Sequence, residues 1–523
     1  MTKFLPIVIS ITLICGQVIH KLQVDRFTHY KVDDWISYAY ALEITSIDMD
    51  DYYIYFATKG GGILRYDKYQ NFWDFPYTTS SGLSSNYIQS VVYNPSENFL
   101  YAKTKAGIDV YKPAEKYWRP AIANFGTSNR ITSMPSPRKA DQRLVSQIRK
   151  QKDFRFPEYF RPNNDYLPPF FTERSFIYLI DGFIKDRYNR EFKFTDRITD
   201  MWQRLWIGTN GFGPILGDLY SYYLTSYPQS ISNIHPRDIY IDDDYVWIGG
   251  INKNKNIGGI TLWDRERDKW QYYEARHLSA LNKDDVFIIS GNKKYILFGT
   301  LDGLVIYDKE KDRWETLTVN DGLEGEKILD IEINGDTAFI GTESGFNWLH
   351  LSTLQVYESR NTVLDNVPIN QVSYYDRKVW LATRFGLYSI DINKDEIFFH
   401  QCSITFNDQY LTALEIYKNE IWICNNYGIA YWDYKEDRWY SYPALTMKLI
   451  IRDMEATDNI FWFATDKGLL KFDRKDNYWR LFTKNDGLIS NDVYHIDLEG
   501  DDIWISTDEG ISLFYWNSKY RMD

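Results

Sequence analysis

The sequence predicts an all-β protein, a β-propeller built from repeated sheets of four short strands. Three observations lead to this prediction. One pattern of strands and turns recurs at a nearly constant spacing. Aromatic residues, which favour strands, make up 17% of the chain. The two ends of the chain carry complementary parts of one repeat. Fixed-period self-similarity of this kind indicates a repeat architecture before any single residue is considered.

The repeat is clearest in three segments, Ile296–Trp314, Ile421–Trp439 and Phe461–Trp479. In each one an apolar strand is followed, after two turn residues, by a Gly that opens a second strand. This spacing predicts a tight hairpin. The second strand ends on an aromatic residue and an Asp, which predicts another turn, and a Trp six residues later begins the next strand.

The spacing of the repeats predicts four-stranded blades. Equivalent strands begin near Val246, Ile296, Ala338, Val379, Ile421, Phe461 and Ile503, mostly 40 to 42 residues apart. Four short strands fit this length. Three further units precede Val246, which gives about ten repeats, or eleven if the degenerate unit at Phe176–Phe192 is counted.

The chain ends predict how the propeller closes. Arg26–Ile44 resembles the end of a repeat, whereas the last repeat, with Ile503–Thr507, lacks room for its final strand before Asp523. We therefore expect the N-terminal strand to complete the last blade, since closure removes exposed sheet edges. This pairing of the two ends favours one large ring over two smaller rings.

Residues 1–16 have the features of a secretory signal peptide. Lys3 precedes an apolar run from Phe4 to Cys15, and this run is too short to span a bilayer comfortably. An uncleaved anchor is the alternative. The expected mature domain is the β-propeller of residues 17–523, in the periplasm or secreted.

A basic insertion interrupts the repeats at residues 126–175. It contains 10 basic and 5 acidic residues and six of the 16 prolines, inside a chain of net charge −12. One interpretation is a solvated loop, and the other is a docking surface for an acidic partner. The acidic balance of the whole chain argues against a nucleic-acid partner, which requires clustered Lys and Arg.

The hairpin pattern resembles a known repeat. Leu205–Gly211 (LWIGTNG), Leu297–Gly303 (LFGTLDG) and Phe339–Gly345 (FIGTESG) follow the pattern WIGT-x-x-G-(I/L)-x-x-(Y/F)-D. This WIGT repeat is similar to the two-component regulator propeller repeat, which builds the periplasmic sensor part of bacterial hybrid histidine kinases. The resemblance implies a bacterial envelope protein. Such sensors typically continue into an immunoglobulin-like module, a membrane helix and a kinase, so we expect this chain to reach a membrane only through a partner or an uncleaved N-terminus.

The sequence contains no recognisable catalytic or metal-binding motif. Its seven His residues lack metal-ligand spacing, and no nucleophile or phosphate-binding motif is present. We therefore predict no catalytic residue, no metal and no cofactor. Cys402 and Cys424 could form a disulfide or act as small buried hydrophobic residues. Carboxylates that distant blades bring together at the propeller axis cannot be identified from sequence.

Two functions remain. The favoured one is an exported, non-catalytic, sensor-like or scaffold module that binds an envelope protein, a peptide or a glycan. The alternative is a propeller enzyme, a polysaccharide lyase or hydrolase with His and carboxylate at the ring axis. Clustering of unique His, Tyr, Arg or Glu residues at one mouth of the axis separates the two. The predicted contacts lie in loops, where function concentrates: Asn210, Phe212, Asn252, Lys253, Asn254, Lys255, Asn256, Arg143, Arg149 and Lys150.

Overall fold

The structure is a computed structural model that describes residues 27, 30–121, 170–173, 176–179, 182–251, 258–402, 410–426, 428–443 and 449–518. This part of the chain forms ten β-sheets. Its helical segments are four short 3-10 turns, Val32–Asp34, Thr79–Ser81, Val319–Asp321 and Thr362–Leu364. No helix among these residues is long and apolar enough to cross a membrane. The predicted signal peptide and most of the basic insertion lie outside the described residues.

The strands are numbered along the chain. They are β1 (Trp35–Tyr38), β2 (Ile44–Met49), β3 (Tyr53–Thr58), β4 (Ile63–Asp67), β5 (Phe72–Tyr77), β6 (Ile88–Asn94), β7 (Phe99–Thr104), β8 (Gly107–Tyr111), β9 (Trp118–Pro120), β10 (Phe171–Thr172), β11 (Phe176–Leu179), β12 (Phe183–Asp186), β13 (Glu191–Thr199), β14 (Arg204–Thr209), β15 (Ile215–Asp218), β16 (Tyr223–Ser226), β17 (His235–Asp242), β18 (Tyr245–Ile251), β19 (Ile260–Asp264), β20 (Lys269–Tyr273), β21 (Val286–Gly291), β22 (Tyr295–Thr300), β23 (Leu304–Asp308), β24 (Arg313–Leu317), β25 (Ile328–Asn334), β26 (Thr337–Thr342), β27 (Phe346–His350), β28 (Gln355–Glu358), β29 (Ile369–Tyr375), β30 (Lys378–Thr383), β31 (Gly386–Asp391), β32 (Glu396–His400), β33 (Ala413–Tyr417), β34 (Glu420–Asn425), β35 (Gly428–Asp433), β36 (Arg438–Pro443), β37 (Ile451–Thr457), β38 (Ile460–Thr465), β39 (Gly468–Asp473), β40 (Tyr478–Phe482), β41 (Val493–Glu499), β42 (Asp502–Thr507) and β43 (Ile511–Tyr515).

Seven four-stranded sheets form a closed ring. Their inner strands β17, β21, β25, β29, β33, β37 and β41 pack against one another in this order, and β41 packs against β17. Both faces of each sheet are therefore buried. Ile503 and Ile505 pack with Trp462 of the preceding sheet, whereas Trp504 points the other way and packs with Ile248 of β18. Side chains of this strand therefore alternate between the two faces of the sheet.

The predicted closure by the N-terminal strand is also confirmed. β1 pairs antiparallel with β43, so that Trp35 lies opposite Phe514. The two rings stack with centroids 3.9 Å apart, and Trp35 is 2% exposed. A strand from the start of the described chain thus completes a sheet whose other three strands lie near its end.

The remaining three sheets form a separate arc, whose inner strands pack in the order β13, β2, β6. The degenerate unit Phe176–Phe192 forms the hairpin β11–β12, which pairs with β13. With β10 on the opposite edge, it extends the third sheet to seven strands. Sequence analysis favoured one large ring, whereas the structure has one closed ring of seven sheets and this arc. The reason is topological. The arc is inserted between β1 and β17, so pairing of the chain ends does not reveal how many blades share one ring.

The repeated Thr and Gly residues build the hairpin corners. In β22–β23 the Thr300 hydroxyl donates to the Gly303 carbonyl at 2.8 Å and accepts from the Asp302 backbone N–H at 3.0 Å. Gly303 has φ +110°, and a Cβ there would lie 2.3 Å from the Leu317 carbonyl oxygen. Only Gly fits such a corner without strain.

The repeated Asp residues cap turns, as predicted. The Asp308 carboxylate accepts backbone N–H groups of Glu310 and Lys311, both at 3.1 Å. In the turn Asn485–Leu488, Asp486 accepts the Thr483 backbone N–H at 2.8 Å. These bonds satisfy backbone donors in the turns, so the repeated carboxylates serve the fold.

A buried ion-pair cluster connects the arc to the ring. Arg190, after β12, donates to both carboxylate oxygens of Glu274 at 2.9 and 3.0 Å and to Asp186 at 2.6 Å. The side chains of Glu274 and Asp186 are each 3% exposed. Tyr188 stacks on His277 beside them. The hairpin β11–β12 is therefore held on the ring by charge as well as by packing.

Cys402 and Cys424 are free thiols. Cys424 is fully buried in an apolar cluster, with its sulfur 3.5 Å from that of Met454. Of the two sequence alternatives, the structure matches the small hydrophobic residue.

Candidate functional site

The predicted contact residues that the structure describes lie in the arc. Asn210 is exposed, and its side-chain oxygen accepts the Lys193 backbone N–H at 2.6 Å. Phe212 is half-buried and packs against Phe176 and Phe192 at centroid distances of 5.5 and 5.4 Å. Asn210 therefore bonds β13, whereas Phe212 packs against both the hairpin strand β11 and β13. Their role as ligand contacts stays a prediction.

The other predicted contacts fall outside the described residues, namely Asn252, Lys253, Asn254, Lys255, Asn256, Arg143, Arg149 and Lys150.

The structure instead gathers unusual side chains around the axis of the ring. Each inner strand presents one residue at an equivalent position, eight residues before the apolar run of the next strand. In six of the seven inner strands a β-bulge immediately precedes this residue. Such bulges re-aim side chains. The seven residues are Asp238, Ile288, Asp330, Gln371, Ala413, Asp453 and His495.

Four of these residues form an axial network, Gln371, Asp453, His495 and Asp238. Gln371 Nε2 donates to Asp453 Oδ1 at 3.3 Å across β33, where Ala413 leaves space. His495 Nδ1 lies 2.8 Å from Asp453 Oδ2, and its Nε2 lies 2.9 Å from Asp238 Oδ1. Residues from four different repeats therefore meet at the axis.

The network carboxylates also join neighbouring sheets through backbone bonds. Asp238 accepts the backbone N–H of Ile289 at 2.5 Å, and Asp453 accepts that of Ile496 at 3.0 Å. At the equivalent position, Asp330 accepts the Val372 N–H at 2.6 Å. The bonds to Asp238 and Asp453, beside His495, are charge-assisted and therefore stronger than neutral ones, and they stabilise the inner wall of the ring. Burial raises the pKa of Asp330 to about 8, so at neutral pH its bond is that of a neutral acid.

His495 is held as a cation. Burial alone lowers its pKa, but the carboxylates of Asp238 and Asp453 raise the pKa of His495 well above its usual value. Both ring nitrogens are hydrogen-bonded to carboxylates. The imidazole consequently has no free lone pair with which to accept a substrate proton.

Two residues further along the inner strands lie four axial carboxyls, Glu332, Glu415, Glu455 and Asp497. Within the part of the chain that the structure describes, none of them forms an ion pair. Burial raises the pKa of Glu332 to about 7 and that of Asp497 to about 6. Burial and the nearby Asp453 raise the pKa of Glu455 to about 8. Burial and Glu455 also raise the pKa of Glu415 well above its usual value. Glu415 and Glu455 therefore hold their protons at neutral pH, whereas Asp497 loses its proton just below it.

At the start of the inner strands, cationic and aromatic side chains alternate around the ring. We call this set the axial rim: Arg452 in β37, Tyr494 in β41, Arg237 in β17, Phe287 in β21 and Lys327 before β25. Tyr494 lies between two guanidinium groups, with the Arg237 Cζ 3.5 Å and the Arg452 Cζ 4.3 Å from its ring centroid. Lys327 Nζ lies 5.7 Å from the Phe287 centroid. All five side chains are half-buried.

Sequence reasoning treated His495 as one of several scattered histidines and missed the axial residues. Aligning the inner strands of the repeats would have placed Asp238, Asp330, Asp453 and His495 in one column, eight residues before each apolar run. Such a column of polar residues inside an otherwise apolar repeat is the signal that was available. Among the described residues, no group of three or more His, Cys, Asp and Glu side chains is arranged to hold a metal ion.

Comparisons with solved structures identify proteins of similar fold. No family model and no curated protein matches the chain in sequence. The solved structure of PorZ, a surface component of the type-IX secretion system of Porphyromonas gingivalis, aligns over 92% of this chain and 87% of its own, with 11% identity and a TM-score of 0.57.

Extracellular domains of two-component systems, the proteins whose propeller repeat the sequence resembles, also align with this chain. The domain of BT4673 from B. thetaiotaomicron covers 92% of this chain and 71% of its own at 14% identity and a TM-score of 0.47. The domain of BT3049 covers 91% and 68% at 14% identity and a TM-score of 0.45. At these identities the likeness concerns the fold, and the chain is a β-propeller protein with the architecture that PorZ also has.

Proposed function

We propose that this chain is an exported, non-catalytic binding module and that the axial rim of the seven-sheet ring is its ligand site. One observation carries the proposal: at one end of the axis, five adjacent sheets contribute cationic and aromatic side chains that the repeat itself does not require. Repeated residues serve packing and turns, whereas these positions differ from sheet to sheet. Residues of this kind on a rigid scaffold are typical of binding sites.

Export is supported by the predicted signal peptide and by the location given for PorZ, a bacterial surface component. The class of partner follows the sequence analysis, an envelope protein, a peptide or a glycan.

Binding at the rim can be tested by thermal unfolding of residues 17–523 with a panel of oligosaccharides and peptides. A ligand at 100 times its Kd adds about 2.7 kcal/mol to the free energy of unfolding. We expect at least one ligand to raise the Tm, and Phe287→Ala to abolish this shift. Tyr220→Ala, which removes an aromatic ring 68% exposed in the arc, should leave the shift unchanged. A shift that both variants retain would place the ligand elsewhere.

Export has its own test. The chain is expressed with a C-terminal tag in a Gram-negative host and recovered from the periplasm or medium. We expect its mass to correspond to loss of residues 1–16. Recovery of the full-length chain in the cytoplasm would contradict export.

The enzyme alternative keeps one observation in its favour, because unique His, Tyr and Arg residues do cluster at one end of the axis, which was the criterion set from sequence. The geometry favours binding, since His495 has both nitrogens engaged by carboxylates. Product analysis by mass spectrometry of any ligand found above is the test. Turnover that is lost in His495→Gln would establish the enzyme instead.

A further inference from the structure

The guanidinium group of Arg237 has N–H donors for which the described residues provide no acceptor. Within the described residues it makes no side-chain hydrogen bond or ion pair, and its Nη1 is buried without a hydrogen-bond partner. Its observed contact is with the face of Tyr494, 3.5 Å from the ring centroid. A buried donor without a partner costs free energy unless a ligand satisfies it.

Two carboxylates next to Arg237 and Tyr494 along their strands, Asp238 and Asp492, are engaged by other groups. Asp238 bonds His495 and the backbone N–H groups of Ile239 and Ile289. Asp492 accepts Arg452 Nη1 at 2.7 Å and the Tyr494 hydroxyl at 2.9 Å. These acids therefore leave the charge of Arg237 unmatched.

Lys327 adds a second unmatched positive charge to the axial rim. It forms no ion pair within the described residues and lies beside Phe287. Arg452, in contrast, is balanced by Asp492. The rim thus carries two positive charges, Arg237 and Lys327, without an ionic partner among the described residues. They lie in the sheets on either side of the sheet that carries Phe287.

The arginine is also held in position before any ligand arrives. Tyr494 is fixed by its hydroxyl bond to Asp492 and by Arg452 on its other face, so the ring on which Arg237 lies is rigid. A planar guanidinium held flat presents its N–H groups in one plane, which matches the two oxygens of a carboxylate. Preorganisation lowers the entropic cost of binding.

We infer that the axial rim recognises a carboxylate group of its ligand, with Arg237 as the principal donor and Lys327 as a second positive charge. This inference rests on the proposed function of the rim and names the chemistry of its ligand. A carboxylate can come from an acidic sugar or from the end of a peptide, and the test below separates these sources.

The test is calorimetric titration of the whole chain with two matched pairs of probes. One pair is an oligogalacturonate and the neutral oligogalactoside of equal length. The other is an N-acetylated tripeptide with a free C-terminal carboxylate and the same tripeptide as its amide. We expect one acidic probe to bind and its neutral counterpart not to bind, with an affinity that falls as salt is raised.

Arg237→Gln should weaken binding of that acidic probe by about tenfold or more, since it removes a charged donor. Arg119→Gln, an exposed arginine in the arc, is the control and should bind as the parent does. Circular dichroism and the Tm verify that both variants fold. Lys327→Gln is expected to weaken binding less than Arg237→Gln.

Other results would overturn the inference. If Arg237→Gln binds the acidic probe as tightly as the parent, the carboxylate lies elsewhere. If a neutral probe binds as well as its acidic partner and only Phe287→Ala weakens it, the carboxylate is excluded while the rim remains the ligand site. If none of the four probes binds, the carboxylate inference fails, and the wider panel alone then decides the proposed function.

Discussion

His495 joins two neighbouring sheets through its two ring nitrogens, one on Asp238 and the other on Asp453. The Asp238 side chain is 1% exposed. Removing the imidazolium would leave this carboxylate buried without its ionic partner, which is among the costliest single changes that a protein core experiences.

We therefore expect His495→Gln to lower the free energy of unfolding at neutral pH by about 3 kcal/mol. Because the pKa of His495 is raised in the folded state, its contribution is fully present below its unfolded pKa and is lost as pH rises through the folded value. Thermal unfolding from pH 6 upward should show the difference from the parent shrink at alkaline pH. His350→Gln, an exposed histidine, should change little. An equal loss in both variants would contradict the bridging role.

The axial carboxyls give a pH dependence of the same sign, because their pKa values are also raised in the folded state. Glu455 has its folded pKa raised to about 8, so the folded state binds more protons than the unfolded chain between about pH 4.5 and 8. Stability contributed by the protonated group is lost as pH rises through that window. At pH 8, Glu455→Gln should raise the free energy of unfolding by about 1–3 kcal/mol, and the Tm should rise with it. At pH 4.5 both should stay unchanged.

Ser373→Ala, at the equivalent place in β29, is the control for Glu455→Gln. Its change in Tm relative to the parent should be the same at both pH values. A gain for Glu455→Gln that is independent of pH would contradict the proton-linked explanation.

Single residues differ in how far the sequence reveals them. Thr300, Gly303 and Asp308 were recognisable because their bonds close within one hairpin or turn. His495 was not, because its partners lie in two other repeats. A residue whose role depends on contacts across repeats becomes visible only when the ring is assembled.

Among the strands, the closing strand β1 is the one whose attachment to its sheet is most easily disrupted. It contributes one edge of a sheet and has a single partner strand, β43. Its attachment depends on Trp35, which stacks on Phe514 and faces Tyr30 edge-on with centroids 6.2 Å apart. Gly487 packs against the same indole, where a Cβ would lie 2.4 Å from Trp35 Cγ.

Trp35→Ala should cost about 3–5 kcal/mol, the range for truncating a buried aromatic side chain. The midpoint of urea unfolding measures this loss, and limited proteolysis should cut near residue 35 sooner than in the parent. Tyr52→Ala, which truncates a side chain 64% exposed, is the matched control and should stay near the parent value. Loss of less than 1 kcal/mol in Trp35→Ala would mean that β1 does not hold the ring.

Strands and hairpins followed from the sequence almost completely, because each repeat carries its own corner residues and its own apolar alternation. The degenerate unit Phe176–Phe192 is the exception. It keeps the hairpin residues, including Gly182 with φ +88°, but pairs through β12 with β13 instead of forming a sheet of its own. Local signals specify a hairpin and leave open which sheet it joins.

For the whole molecule, the contact between arc and ring concentrates on Arg190. Arg190 forms ion pairs with Glu274 and Asp186, and both carboxylates are nearly excluded from solvent. Burial keeps the pKa of Glu274 above its usual value, although Arg190 opposes this effect. The stability of this junction therefore depends on one cation.

We expect Arg190→Met to destabilise the chain by about 3 kcal/mol, because the buried Asp186 loses its ionic partner and Glu274 keeps only Arg276, at 3.7 Å. Calorimetry should show the unfolding of the arc move to lower temperature and separate from that of the ring. Arg187→Met, an exposed arginine in the same turn, controls for loss of charge. Coincident unfolding of arc and ring in Arg190→Met would contradict the role given to this junction.

The partition into ring and arc was the part of the architecture that sequence could not supply. All ten units carry similar strands, and the sequence of an inner strand does not specify which other inner strand will pack against it. The decisive contacts, such as Trp504 with Ile248 and His495 with Asp238, join the last repeat to the fourth. Only the packed structure distinguishes that neighbour from the first repeat.

The closing strand also governs the order of events when the chain folds. Ser37 of β1 and Ser512 of β43 are hydrogen-bonded although 475 residues separate them. Bringing such distant segments together is slow compared with forming local hairpins. During synthesis β1 emerges first and must wait, without a partner, until the last strands are made. The ring therefore closes late, after the arc has had time to fold.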